Sequence, residues 1–266
     1  VQLLGVLIYK GENLNWGGSP ADFTVGGYGI IRDQAETDSR AIILDGYMKL
    51  SWRHLMAESE VVHIGGQSRA ITLDGAYDPY GDLPDPLFKD VDIWGYVARV
   101  GRQSRSMDLV FEHGYASGDD NVADQNFTGR PLHPDYNVGL LLYEEILARV
   151  SARSWSEKAD SLWSQGGVYN SRYVYPHLRF RPLNNWELRA AFLMAWPDRP
   201  DGARISCSEE DVDSRGIQCT DPQEDLADHI GWEADLGLHH RFHEHILFAV
   251  EGAYAQVTNR IPLQNL

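Results

Sequence analysis

Charged side chains stand on alternate positions of several strand-like runs. They are Asp45 and Lys49, Glu58 and Glu60, Asp108 and Glu112, Arg179 and Arg181, then Arg189, Glu233, Asp235, Arg241 and Glu251. In an extended chain residues i and i+2 share a face, so these carboxylates and cations gather on one side of whatever sheet they build. Facing a water-filled lumen they would set up a transverse field that orients a polar solute, as rings of charge do in pores. Paired with one another they would instead support a filled, non-conducting interior. A second group is Asp119, Asp120, Asn121 and Asp124 in a Gly-flanked loop. Such oxygen ligands suit Ca²⁺, although the Gly at position 6 and the Glu at position 12 of an EF-hand are missing. Calcium is the one cofactor this pattern suggests, with a solvated loop, or one bridged to lipopolysaccharide by divalent ions, as the other reading.

Two further groups carry less. His239, His240, His243 and His245 cluster around a tight turn, but alternation sends neighbours to opposite faces, which scatters them as metal ligands. Cys207 and Cys219 sit in one polar segment with no second cysteine pair for zinc. A loop-closing disulfide in an oxidising compartment suits them, against two free thiols. No GxSxG, HExxH, P-loop or GxGxxG-plus-helix pattern occurs, so no enzymatic activity is expected.

The elements that must position these groups are strands. In AIILDGYMKLSW, Ile42, Leu44, Met48 and Leu50 oppose Ile43, Asp45, Tyr47 and Lys49. The same period of two runs through RSMDLVFEHGYA, RYVYPHLRFRP, NWELRAAFLMAW, HIGWEADLGLHHRF and HILFAVEGAYAQV. The runs are about 10–13 residues long, near the ~9–11 tilted residues that cross a bilayer. Tight turns at Trp52-Arg53, Gly101 to Ser104, Pro182 to Asn185 and His243-Glu244 alternate with long polar segments. Transmembrane barrels show this order because turns are short on one side and loops grow on the other. Trp52, Tyr115, Trp186, Trp196, Trp232, Phe242 and Tyr254 lie near run ends, where interfacial aromatic girdles belong.

The 266 residues include 23 basic and 39 acidic side chains, a net charge of −16. That acidity argues against nucleic acid as a partner and against adsorption to anionic lipid through a polybasic patch. No apolar run reaches the ~20 residues of a membrane helix, so a membrane role requires a β-barrel. The chain opens on VQLLGVLIYK and stops at NRIPLQNL, and is read as a large part of a bigger barrel. Leu3–Tyr9 and Phe23–Arg32 look like strands joined by a long connection, 11–22.

Connection parity decides the stretch after Ala116. Were 137–150 a membrane strand, the tight turn at 182–185 and the long loop at 198–228 would change sides. Taking 118–168 as one extracellular excursion restores the order. The run 138–147 then reads as a short helix, with Leu142, Tyr143, Ile146 and Leu147, and Val150 just beyond, on the face it buries at the barrel mouth.

The stretch FEHGYASGDDN…FTGRPLHPDYNVGLLLYEE, with GGVYNSRYVYP after it, resembles outer-membrane β-barrels of the alginate-export and related porin-like families of Gram-negative bacteria. The matching positions are Gly114 to Asp120, His133 to Tyr143 and Gly166 to Tyr175. The resemblance implies one all-β domain over 1–266, an antiparallel transmembrane barrel in the outer membrane of a Gram-negative bacterium. It implies contact with outer-membrane lipid and lipopolysaccharide, and passive diffusion or export of a polar solute. Alginate exporters are expected to line their constriction with arginine; here Arg179, Arg181, Arg189 and Arg241 stand among carboxylates. The competing readings are a plugged barrel that anchors an envelope-complex partner and a soluble carbohydrate-binding β protein.

Overall fold

The computed structural model describes residues 1–35, 38–68, 89–119, 125–130, 132–133, 135–136, 138–147, 167–199, 227–243 and 245–258. Ten long strands dominate it: β1 Gln2–Trp16, β2 Ser19–Gln34, β3 Ser39–Trp52, β4 Leu55–Ser68, β5 Lys89–Gln103, β6 Met107–Ala116, β8 Ser171–Leu183, β9 Trp186–Pro197, β10 Gly231–His243 and β11 Ile246–Val257. The two-residue β7, Asn126–Phe127, pairs parallel to β5. The long strands follow one another in chain order as an antiparallel meander, with β6 directly beside β8. The sheet is open: β1 and β11 each have one neighbour and do not pair with each other.

One end of the sheet is made of tight turns. Gly17-Gly18 joins β1 to β2 with φ of 59° and 75°, the left-handed backbone that two-residue hairpins need and glycine adopts freely. This corrects the long connection expected over 11–22: the strands run on through it, with a bulge between Gly11 and Leu14. Arg53-His54 joins β3 to β4, with Arg53 at φ 55°, one residue later than the turn expected at Trp52-Arg53. Asn184-Asn185 joins β8 to β9, and 244–245 joins β10 to β11. Between β5 and β6 the Ser104 hydroxyl donates to the Met107 carbonyl at 2.7 Å, closing the turn with its side chain.

At the other end, from which the long connections leave, sits the buried core of the described residues. Ala116, Tyr173, Leu193 and Ala195 from the strand ends meet Val138, Leu142, Tyr143, Val168 and Ile230 from the connections. Residues 139–141 turn, and Leu142–Leu147 forms a π-helical turn within the stretch 138–147 expected to be a helix. Because β6 pairs with β8, no strand intervenes between them, in line with the parity argument.

The face against which this segment packs is the inner face. On the outer face the strands present Leu44, Met48, Val100, Phe111, Phe192, Leu236 and Val250, all exposed. Among the described residues no Asp, Glu, Lys or Arg lies on that outer face between two rows of aromatics. Toward the short-turn end the row holds Trp16 with Trp52 and Trp186 with His240 and Phe242. Toward the long-loop end it holds Tyr96 with Tyr115 and Trp232 with Phe192 and Tyr254. No helix of the described residues is long and apolar enough to cross a membrane.

Candidate functional site

Register places the thirteen charged residues singled out in the sequence on the inner face. Lys49 stands opposite Glu58, Glu58 opposite Arg99, Arg99 opposite Glu112, and Glu112 opposite Tyr175. A second row runs Asp108, Arg179, Arg189, Gly237, Glu251. Glu60 faces Tyr47 across β3 and β4, and Asp235 faces Ala191 across β9 and β10.

Most of these charges neutralise one another. Arg181 donates to Asp108 at 2.6 Å and to Glu187 at 2.9 Å. Arg189 donates to Glu187 at 2.7 Å and lies 3.5 Å from Glu251, which His239 reaches at 2.7 Å. Glu58 accepts the Tyr47 hydroxyl at 2.6 Å with Lys49 at 3.9 Å. Asp45, Glu60, Arg179, Asp235 and Arg241 make no ion pair among the described residues.

Sequence reasoning missed Arg99, Glu187, Tyr136 and Tyr173, and three of these build the tightest network. Glu112, 3% exposed, accepts from Arg99 Nε at 2.6 Å, the Tyr136 hydroxyl at 2.7 Å and the Tyr173 hydroxyl at 2.7 Å. Arg99 also donates to Tyr136 Oη at 2.8 Å. The buried carboxylate thus has a cation and two further donors, the condition under which a buried charge is tolerated. Burial, then the Glu112 charge, pushes the Tyr136 hydroxyl up from its ordinary value, so it stays a donor at neutral pH. The signal for Arg99 was alternation in VARV; Tyr136 had none, being in a loop.

The docked segment has a second anchor. Glu233, with no exposed surface, accepts the backbone N–H groups of Leu140 and Leu141 at 2.5 and 2.8 Å on one oxygen and that of Leu142 at 2.7 Å on the other. Those N–H groups begin the π-helical turn and have no intrahelical acceptor, so a carboxylate there is doubly favoured. Tyr143 Oη and Ser171 Oγ share a 2.9 Å hydrogen bond beneath it. Gly139 makes the approach fit: its φ is +73°, and a Cβ there would come within 2.8–3.0 Å of the Glu233 carboxylate. Gly139→Ala is therefore expected to loosen the segment while leaving the sheet intact, read as faster amide exchange at 140–147 with unchanged exchange in β8–β10.

Glu144 adds a pH response. One of its oxygens is buried without a partner. Burial, then Glu145 and Glu233, raises its pKa from the ordinary 4.5. A raised acid favours the docked state while it holds its proton. That stabilisation is full below the ordinary carboxylate value and is lost as pH rises through the raised one. Glu144→Gln is expected to keep the segment tightly docked at neutral pH and to abolish the difference in exchange protection between pH 4 and pH 7, roughly the window of a raised carboxylate.

The other sequence candidates separate. Asp119 is buried, and one of its oxygens accepts the Thr128 N–H at 3.1 Å, tying the loop to itself. Asp120, Asn121 and Asp124 lie outside the described residues, as do Cys207, Cys219 and most of 198–228. His239 faces inward to Glu251, while His240 stacks on Trp186 at 4.1 Å on the outer face. Among the described residues no three His, Cys, Asp or Glu side chains converge on a metal position.

Beneath the docked segment the inner face borders an open cavity of about 460 Å³, lined by both charge networks and by Tyr175, His177, Arg179 and Asp235. It is large enough for a small polar molecule. No protein-family model matches the chain, and no curated protein matches it.

Proposed function

We propose that the chain forms an outer-membrane β-barrel of porin-like type in a Gram-negative bacterium, passing a polar solute along its inner face beneath the segment 138–147. The observation that carries this is the contrast between the two faces of one sheet. The outer face is apolar and uncharged between two aromatic rows, as a lipid-facing band is; the inner face is charged, as a lumen is. Strands of 10 to 16 residues are long enough for a tilted crossing. The resemblance of 114–120, 133–143 and 166–175 to alginate-export and porin-like barrels supports the same reading. In a bilayer no sheet edge can stay unpaired, so the proposal requires β1 and β11 each to meet a further strand. Lipopolysaccharide and outer-membrane lipid are the surroundings, and transport involves no covalent chemistry.

The test is reconstitution of folded protein into planar bilayers. Stepwise conductance that falls when a polymer fills the pore is the expected result. Absence of conductance from protein that inserts and folds would favour the anchoring barrel with a filled lumen. A monodisperse, folded protein that needs no detergent would overturn the membrane reading and favour the soluble β protein.

A further inference from the structure

We infer that the inner-face cavity binds a small zwitterionic solute, an amino carboxylate, with its ammonium group at Asp235 and its carboxylate at Arg179. The inference rests on the channel reading for the route by which the solute arrives, and on the cavity alone for its binding.

One carboxylate and one guanidinium at the cavity have no ion pair among the described residues. Around it Glu58, Arg99, Asp108, Glu112, Arg189 and Glu251 are all engaged in ion pairs. Asp235 is not. It is 8% exposed, its Oδ1 is buried with no partner, and its Oδ2 receives only a long 3.4 Å contact from the Tyr175 hydroxyl. Glu233 lies two residues away on the same face of β10 and is spent on the backbone of 140–142. Two carboxylates thus sit side by side with no cation, which is costly in a buried setting.

Arg179 is the mirror of this. It has no ion pair or side-chain hydrogen bond among the described residues, and it stands directly opposite Arg189 on β9. Like charges opposite each other destabilise a sheet. Arg189 is already held by Glu187 and Glu251, and Asp108, opposite Arg179 on β6, is held by Arg181, so each neighbouring charge already has its own partner. Between the two ends, His177 Nδ1 is buried without a partner and borders the same cavity.

Arg179 and Asp235 do not satisfy each other. Asp235 lies in the row of Ala191 and His177, while Arg179 lies one row on, with β9 between them. Two strand spacings of about 4.8 Å and two rises of about 3.4 Å put their Cα atoms roughly 12 Å apart. The long arginine side chain shortens that distance to a gap that a molecule with two charges a few ångströms apart can span. An inorganic anion would leave Asp235 unmet, and a simple cation would leave Arg179 unmet. A neutral polyol would meet the hydrogen-bonding need but neither charge. A zwitterion meets both and offers His177 a group to bond.

Equilibrium dialysis of 4-aminobutyrate against the folded full-length chain tests this, with acetate, methylammonium and glycerol as controls. Expected is saturable binding of 4-aminobutyrate, weakened on the order of tenfold or more by Arg179→Gln and, separately, by Asp235→Asn, as loss of a charge-assisted contact implies. Each control should bind weaker by a similar factor. Arg179→Gln removes an unpaired, exposed side chain, so a folding failure is not expected, and a melting curve checks it. Absence of 4-aminobutyrate binding to folded protein overturns the site, as does glycerol binding equally well or variants binding like the parent. Binding without bilayer conductance keeps the site and overturns the channel; conductance without binding overturns the site and keeps the channel.

Discussion

Glu233→Ala is expected to release residues 138–147 from the inner face and to raise conductance through the channel proposed above. The carboxylate accepts three N–H groups from a turn that offers them no other acceptor. Removing it strands those donors in a site with no exposed surface. Hydrogen bonds to a charged group contribute about 1.5–3 kcal/mol each, and they do not add fully. A loss on the order of 3–5 kcal/mol is comparable with what burial of Val138, Leu142 and Tyr143 contributes, enough to shift the segment toward release. The measurement is the rate of proteolytic cleavage within 138–147, together with single-channel conductance. A segment that stays protected, in a protein whose conductance is unchanged, would show that Leu142, Tyr143 and Val138 suffice to hold it. Glu233→Gln, which keeps one acceptor oxygen, should fall between.

Arg99→Ala should produce the largest loss of stability. It leaves Glu112, 3% exposed, with two tyrosine hydroxyls and no cation. Breaking a buried pair by removing one partner costs roughly 3–5 kcal/mol. Adding Glu112→Gln to Arg99→Ala should restore most of that, because the stranded charge is then gone. A double-mutant cycle by urea unfolding measures the coupling. A coupling near zero would falsify the view that Arg99 neutralises Glu112. Tyr136→Phe, which cuts only one donor and the link to the docked segment, should cost about 1 kcal/mol.

Much of the sheet was legible because its two faces meet different surroundings. Where Leu109 and Phe111 alternate with Asp108 and Glu112, the face of every residue follows from the period of two, and the structure puts each there. The strand β1 was harder. Both its faces are apolar (Leu3 and Leu7 on one, Leu4 and Val6 on the other), so alternation marks neither its faces nor its length. Gly17-Gly18 was a hairpin signal in plain sight, masked by the polar residues Glu12 and Asn13, which form the bulge of the strand, and Asn15, which pairs beyond it. The anchoring of the segment was not legible. Glu233 grips backbone N–H groups, which every residue but proline carries, and the Tyr136–Glu112 contact joins a loop to a strand 24 residues away. Parity placed the segment outside the sheet; only coordinates show what it touches.

The meander also dictates an order of assembly. Every long strand is hydrogen-bonded to its sequence neighbour, so each hairpin can zip from its own turn while the rest of the chain is still unformed. Such pairings close small loops and are fast. The unpaired sides of β1 and β11 have no local partner. In the barrel proposed above, the pairing that closes the sheet joins its two ends across a long stretch of sequence, which makes that seam the slow step. Until it forms, the apolar outer face and two bare strand edges stand exposed together, the state most in need of a chaperone.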